Sequence, residues 1–212
     1  MCRLPNFLRG LAVASEHNRI RRKWQDYGGR NAGIAEASFL GSFQSMFPGT
    51  DYRIRAKPKE FQNIYVNVQL KAEDLALIHT PQEAITRHGV MPDYAIDNLR
   101  TKKTIYVEVK RQDGWVEGGK RSDGRGNAHE RSCKFFTPGL LRALRLKSKI
   151  PEPALPFWVV FLGDITRDPC RVREVTCWYE GYEDHFFFWR QAPDPDMLFK
   201  HFDECIGPLL EE

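Results

Sequence analysis

The run Pro92-Asp93-Tyr94-Ala95-Ile96, a polar stretch from Asp97 to Lys103, and then Thr104-Ile105-Tyr106-Val107-Glu108-Val109-Lys110 decide the fold of this chain. The outer pieces are short and rich in β-branched and aromatic residues, and the polar stretch between them has turn character, so the spacing predicts a β-hairpin. Side chains alternate across a strand, so Glu108 and Lys110 share a face while Val109 turns into the core. Fourteen residues separate Asp93 from Glu108, and closing the hairpin brings them side by side. Two carboxylates and an ammonium then meet at the edge of a sheet.

Other elements follow on either side. Ile34, Ala37, Leu40, Phe43 and Phe47 recur at helical spacing, and Pro48-Gly49 closes that helix. Residues 52–57 alternate apolar and basic, as a half-buried strand does, and residues 64–70 read as extended. A helix is expected over 72–88, with Pro81 opening a second piece. A Gly-rich charged loop, 114–126, leads into a helical stretch from Asn127 to about Phe136, which Pro138 interrupts and residues 140–146 resume. Residues 156–162 read as a buried strand, 172–179 and 185–189 as extended, and 196–206 as a closing helix. The expected fold class is α/β, a central mixed β-sheet flanked by helices.

The chain has 212 residues, 42% apolar and 28% charged, which excludes wholesale disorder and suits one compact domain. The organisation expected is a basic N-terminal arm, residues 1–30, followed by a single domain over 31–212. The longest apolar stretch, residues 155–163, is too short to span a bilayer, and Arg9 interrupts any signal-peptide core, so a cytoplasmic protein without a membrane partner is expected. The cysteines are Cys2, Cys133, Cys170, Cys177 and Cys205, an odd number with no C-x-x-C pair. They read as reduced thiols serving as small buried hydrophobes, not as a disulfide framework or a zinc cage.

The net charge of +4 is unevenly spread. Residues 100–150 carry fourteen basic and five acidic side chains, whereas residues 151–212 carry five basic and thirteen acidic. Lysine and arginine commonly do no more than solvate helix faces. A local excess of that size still favours a polyanionic partner, of which nucleic acid is the commonest.

The hairpin residues suit phosphodiester hydrolysis. Carboxylates held together repel unless a cation lies between them, and hard oxygen ligands with room for water favour Mg²⁺. Such an ion acidifies a bound water and neutralises transition-state charge, while Lys110 can hold the water or a phosphate oxygen. By itself Pro-Asp followed by Glu-x-Lys is a weak motif, because strand-edge acids and lysines are common solvent-facing choices.

A longer pattern surrounds it. Lys110-Arg111-Gln112-Asp113-Gly114-Trp115-Val116-Glu117-Gly118, then Gly124-Arg125-Gly126-Asn127-Ala128-His129-Glu130-Arg131-Ser132-Cys133-Lys134, continues through Phe136-Thr137-Pro138-Gly139-Leu140-Leu141. It resumes at residues 155–161, 163–169 and 171–175. The whole resembles the type II restriction endonucleases of the EcoRI/MunI branch, nearest the MunI side, from about Ala35 to Phe202. The resemblance implies the PD-(D/E)xK restriction-endonuclease-like fold, a Mg²⁺-dependent homodimer, and 5′-phosphate ends. It makes Asp93 and Glu108 metal ligands and Lys110 the catalytic lysine. Glu36, in the first helix, faces the site in some relatives; a solvated first-turn carboxylate is the competing reading.

The family's base-reading element, Gly-Asn-Ala-x-Glu-Arg-Ser, is present as Gly126 to Ser132. Asn pairs bidentately with adenine and Arg with guanine N7 and O6 or adenine N7. On a helix Asn127 and Arg131 lie one turn apart on one face, and Glu130 can buttress arginine, while Gly126 and Ala128 belong to the element as recognition support. The competing readings are an Asn cap and an Arg–Glu surface pair. By resemblance Asn127 and Arg131 read an inner AATT and Arg125 an outer guanine, which implies CAATTG cut after the first C. GAATTC, or a non-cleaving DNA-binding protein on this scaffold, is the alternative, as is a structure-specific nuclease that would lack the base-reading segment. A palindrome demands a two-fold dimer, and the family implies a companion DNA methyltransferase. His129 reads as a packing residue or a DNA-backbone contact. Trp115 and Phe186-Phe187-Phe188-Trp189 read as core and loop anchors.

Overall fold

A computed structural model of the chain describes Gly33 and residues 36–113 and 129–211. Five strands, β1 (Tyr52–Ala56), β2 (Tyr94–Asn98), β3 (Thr104–Arg111), β4 (Phe157–Leu162) and β5 (Phe186–Phe188), form one sheet in that order. The pairs β1–β2 and β2–β3 are antiparallel, and β3–β4 and β4–β5 are parallel. The sheet is therefore mixed, as expected. The hairpin turn is closed by Asn98, whose Oδ1 accepts the Arg100 and Thr101 amides at 2.9 and 3.0 Å.

Helix α1 (36–46) precedes the sheet and α2 (Ala72–Leu75) lies between β1 and β2. A 3₁₀ turn (Glu130–Phe136) and α3 (Pro138–Ser148) lie in the crossover that a parallel β3–β4 pair requires. Next come α4 (Pro169–Trp178), α5 (Asp196–His201), a π-helical turn (Phe202–Ile206) and α6 (Gly207–Glu211). Strand parity divides the core into two layers. Tyr94, Ile96, Ile105, Val107, Val109, Trp158 and Val160 point to one face, under Phe39, Phe43 and Phe47 of α1 and its following turn and under Leu198, Phe202, Ile206 and Leu210. Ala95, Tyr106, Phe157, Val159 and Phe161 point to the other, under Phe135, Leu140, Leu144, Ile165, Val175 and Tyr179. Glu108 shares the parity of Tyr106, so it extends this second layer toward the strand end.

Four expectations are corrected. Residues 172–179 are not extended: 172–178 belong to α4, which starts at Asp168-Pro169, where the Asp168 carboxylate accepts the Cys170 and Arg171 amides. The β-branched Val172, Val175 and Thr176 suggested a strand, but within α4 only Val175 is buried, which is what an amphipathic helix on a sheet requires. The helix expected over 72–88 is a single four-residue turn, α2, with no buried residue to hold a longer one. Residues 64–67 form turns and 68–70 have no regular structure, so no strand pairs there with the edge strand β1. In the stretch expected to be helical from Asn127, the described part is 3₁₀, and Asn127 lies outside the described residues.

The cysteine expectation holds in part. Cys133, Cys177 and Cys205 are free thiols, but Cys170 and Cys177 are exposed and Cys133 and Cys205 half-buried, so the four do not fill the core. Cys2, Trp115 and the basic arm over residues 1–30 lie outside the described residues. Among those described, no helix is long and apolar enough to cross a membrane.

Candidate active site

Register builds the site. The pairs Ala56↔Tyr94 and Tyr94↔Val107 end the two antiparallel ladders, so the next row across the sheet is Lys57, Asp93, Glu108 and, by the parallel pairing, Val159. Lys57 donates its backbone N–H to the Asp93 carbonyl at 2.9 Å, which continues the ladder one step. Asp93 and Glu108 are nearly buried, at 7% and 5% exposure. Asp93 Oδ2 accepts the Val109 amide at 2.9 Å, so the backbone of β3 fixes that carboxylate. Lys110 Nζ stands 2.6 Å from Glu108 Oε1 and 3.6 Å from Asp93 Oδ2. Lys134, from the 3₁₀ turn, reaches to 3.9 Å from Glu108 Oε1.

The second oxygen of Glu108, Oε2, is buried without a hydrogen-bond partner. Burial raises the Glu108 pKa, Lys110 opposes the rise and the Asp93 charge adds to it. A buried, unsatisfied carboxylate oxygen with a second carboxylate sharing the same lysine is a hard-oxygen donor set that suits a divalent cation. Among the described residues no group of three or more His, Cys, Asp or Glu side chains could hold a metal ion. Two carboxylates suit an ion that retains waters and takes further oxygens from a phosphate. The fold also has a cavity of about 320 Å³ lined by Ile150, Pro151, Ala154, Tyr182 and His185 among others, but none of its walls belongs to this cluster.

Comparison with known proteins decides the family. The type II restriction enzyme MunI family model matches residues 13–211. The chain belongs to the MunI family of type II restriction enzymes. MunI of Mycoplasma sp. is 48% identical over 194 residues, covering 90% of this chain and 96% of MunI. The crystal structure of MunI restriction endonuclease in complex with cognate DNA superposes with a TM-score of 0.76 at 48% identity, covering 89% of this chain and 97% of that one. The chain is thus a restriction endonuclease, a site-specific deoxyribonuclease of the α/β class expected. The family match begins at residue 13, inside the basic arm.

Within this MunI-family frame, the structure brings Asp93, Glu108 and Lys110 together as their spacing predicted. Arg125, Gly126, Asn127 and Ala128 lie outside the described residues. Glu130 and Arg131 are both exposed on the 3₁₀ turn, and no ion pair joins them among the described residues. Neighbours on such a turn diverge by about 120°, so each is left to solvent or a partner. His129 packs: it is fully buried and its ring stacks on Trp178 at 5.4 Å. Its Nδ1 lies 3.2 Å from Gln112 Oε1 and its Nε2 3.3 Å from Glu174 Oε2. Burial and the Arg171 charge lower its pKa, which keeps the ring neutral. Phe186, Phe187 and Phe188 are half-buried in β5 and Trp189 is buried, donating to the Asp194 carbonyl at 2.7 Å, as loop anchors should.

Glu36 does not join the carboxylates directly. Its Oε2 accepts from Lys57 Nζ at 2.9 Å, and the same Nζ lies 2.8 Å from Asp93 Oδ1. Burial disfavours the Lys57 ammonium, but the hydrogen bonds to Asp93 and Glu36 outweigh it and raise its pKa. Sequence reading missed Lys57. Its only signal was its place as the last basic residue of the alternating run from Tyr52, which reads equally well as a solvated edge.

Proposed function

We propose that this enzyme is a Mg²⁺-dependent homodimer that hydrolyses double-stranded DNA at the palindrome CAATTG, cutting after the first C to leave 5′-phosphate AATT overhangs. The observation that carries the chemistry is the Asp93–Glu108–Lys110 cluster with its buried, unsatisfied Glu108 Oε2. Asp93 and Glu108 would hold the metal, which when bound supplies Lewis-acid stabilisation of the phosphate and a more acidic water. Lys110, already within hydrogen-bond distance of Glu108, donates to the attacking water or to a non-bridging phosphate oxygen and offsets negative charge as it builds. The Val109 amide keeps Asp93 oriented while the phosphate arrives.

DNA as partner is supported by the solved MunI complex at 48% identity. Asn127 and Arg131 read the inner AATT and Arg125 the outer guanine, with Gly126, Ala128 and Glu130 supporting them, one half-site per subunit. Residues 31–212 form the endonuclease domain, residues 1–30 the basic arm, and a companion methyltransferase protects the host site. Digestion of a fully sequenced plasmid in Mg²⁺, with the fragment ends sequenced, tests this. Ends beginning AATT and flanked by C·G pairs are expected. AATT ends with another outer pair, as in GAATTC, would keep the chemistry and overturn the role of Arg125. Tight binding without cutting would favour the non-cleaving alternative. Replacing Arg125 with Ala should reduce discrimination at the outer pair by roughly 1–3 kcal/mol, the worth of one bidentate base contact; competition cleavage of CAATTG and GAATTC duplexes measures it.

A further inference from the structure

We propose that Lys57 is a positioning residue that occupies Asp93 Oδ1 until a divalent cation arrives, so that the Lys57 ammonium and the ion compete for one carboxylate. The inference rests on the metal site proposed above. Lys57 is tied to Asp93 twice, by its backbone N–H at 2.9 Å and by Nζ at 2.8 Å, and it bridges to Glu36 at 2.9 Å. One side chain thereby joins α1, the end of β1 and the start of β2 at the catalytic row.

The backbone points the same way. Lys57 has φ +48°, a left-handed conformation that disfavours a lysine, and Pro58 follows it, which further restricts the preceding residue. Such a conformation is unfavourable for a lysine and persists only when its surroundings hold it. The two contacts to Asp93 do so.

Charge explains the purpose. Glu36, Asp93 and Glu108 face the ammonium groups of Lys57 and Lys110, with Lys134 at 3.9 Å from Glu108. The cluster is close to neutral without a metal, so Asp93 and Glu108 do not repel a phosphate backbone outright. A divalent ion makes the Lys57 charge surplus, and the side chain, 46% exposed, has room to leave.

Mn²⁺ binding to the full-length, DNA-free protein, read from the electron paramagnetic resonance of the free ion at fixed ionic strength, tests the competition. Lys57→Met and Lys57→Gln should each bind Mn²⁺ roughly tenfold more tightly than the unaltered protein, a modest figure because the Lys57 side chain is itself about half exposed to solvent. Lys57→Arg, which keeps the charge, should bind as the unaltered protein does. If Lys57→Met does not fold by thermal melting, Lys57→Gln decides. Unchanged or weaker binding in a folded neutral variant, or equal tightening in Lys57→Arg, overturns the inference while leaving the metal site intact. Mn²⁺ binding that is absent, or that survives Asp93→Asn unaltered, overturns the metal site and the inference together.

Discussion

Asp93, just before β2, and Asp97, near its far end, lie on the same face, beside Lys57 just after β1 and beside the arginines of β1 respectively, yet they are built for different ends. Asp97 is fully satisfied. Its Oδ2 accepts from Arg55 Nε at 2.6 Å and Arg53 NH2 at 2.9 Å, and its Oδ1 from Arg55 NH2 and the Thr104 hydroxyl, both at 2.9 Å. Burial pushes its pKa up, but the hydrogen bonds from Arg55, Arg53 and Thr104 outweigh it and hold the carboxyl below its ordinary range. Four residues away, Asp93 faces Glu108, whose buried Oε2 has no partner and whose pKa is raised. A carboxylate that the fold satisfies is cement for two strands. One left short of partners beside another acid retains binding capacity, which is how functional clusters differ from structural ones.

The comparison can be broken most sharply at Glu108. Glu108→Ala should lower Mg²⁺-dependent cleavage of a cognate duplex by about a thousandfold or more, since it removes one of the two proposed metal ligands, while leaving DNA binding in place. Full activity in that variant would remove Glu108 from the site. At the other end of the strand, Asp97→Ala should cost about 2–3 kcal/mol of stability in urea unfolding. That is less than the loss of a fully buried ion-pair partner, because both arginines reach solvent. Its cleavage rate per folded molecule should stay near that of the unaltered enzyme.

The two carboxyls should also pull stability in opposite directions with pH. Above the ordinary glutamate value of about 4.3, an unfolded Glu108 has lost its proton while the folded one still holds it, so stability falls as pH rises through its raised pKa. Glu108→Gln should therefore gain stability relative to the unaltered protein as pH rises above the ordinary glutamate range, with the difference shrinking as pH falls toward it. Asp97 supplies stability that is present above the unfolded aspartate value and lost as pH falls through its lowered pKa. Thermal melts across pH 3–9 for both variants separate the slopes. The smallest effect belongs to Arg53→Ala: with a side chain 58% exposed and Arg55 still on Asp97, the loss should be under about 1 kcal/mol in the same urea assay.

Much of the site was legible because strand alternation is a short-range rule. Glu108, Val109 and Lys110 carry their own faces, and one hairpin suffices to bring in Asp93. Helix α4 was misread because β-branched residues weigh toward strand until the Asp168 cap and the single buried Val175 show a helix lying on a sheet. Residues 72–88 carry helix-forming residues but bury nothing, and without a buried face a helix does not extend. The proposed base-reading roles of Arg125 and Asn127 came from a family pattern, not from geometry.

The sequence by itself determined the hairpin, the three residues of the cluster, the mixed α/β class and the family, since each depends on local periodicity or on residue order. Only the tertiary structure decided which side chains complete the row. Lys57 and Glu36 lie thirty-six and fifty-seven residues before Asp93, and no local pattern ties either to it. The antiparallel register of β1 on β2 places Lys57 opposite Asp93, and the packing of α1 over the sheet delivers Glu36 to the same ammonium. Register is fixed by which faces can be buried across the whole sheet, a property of the assembled layers that no single strand contains.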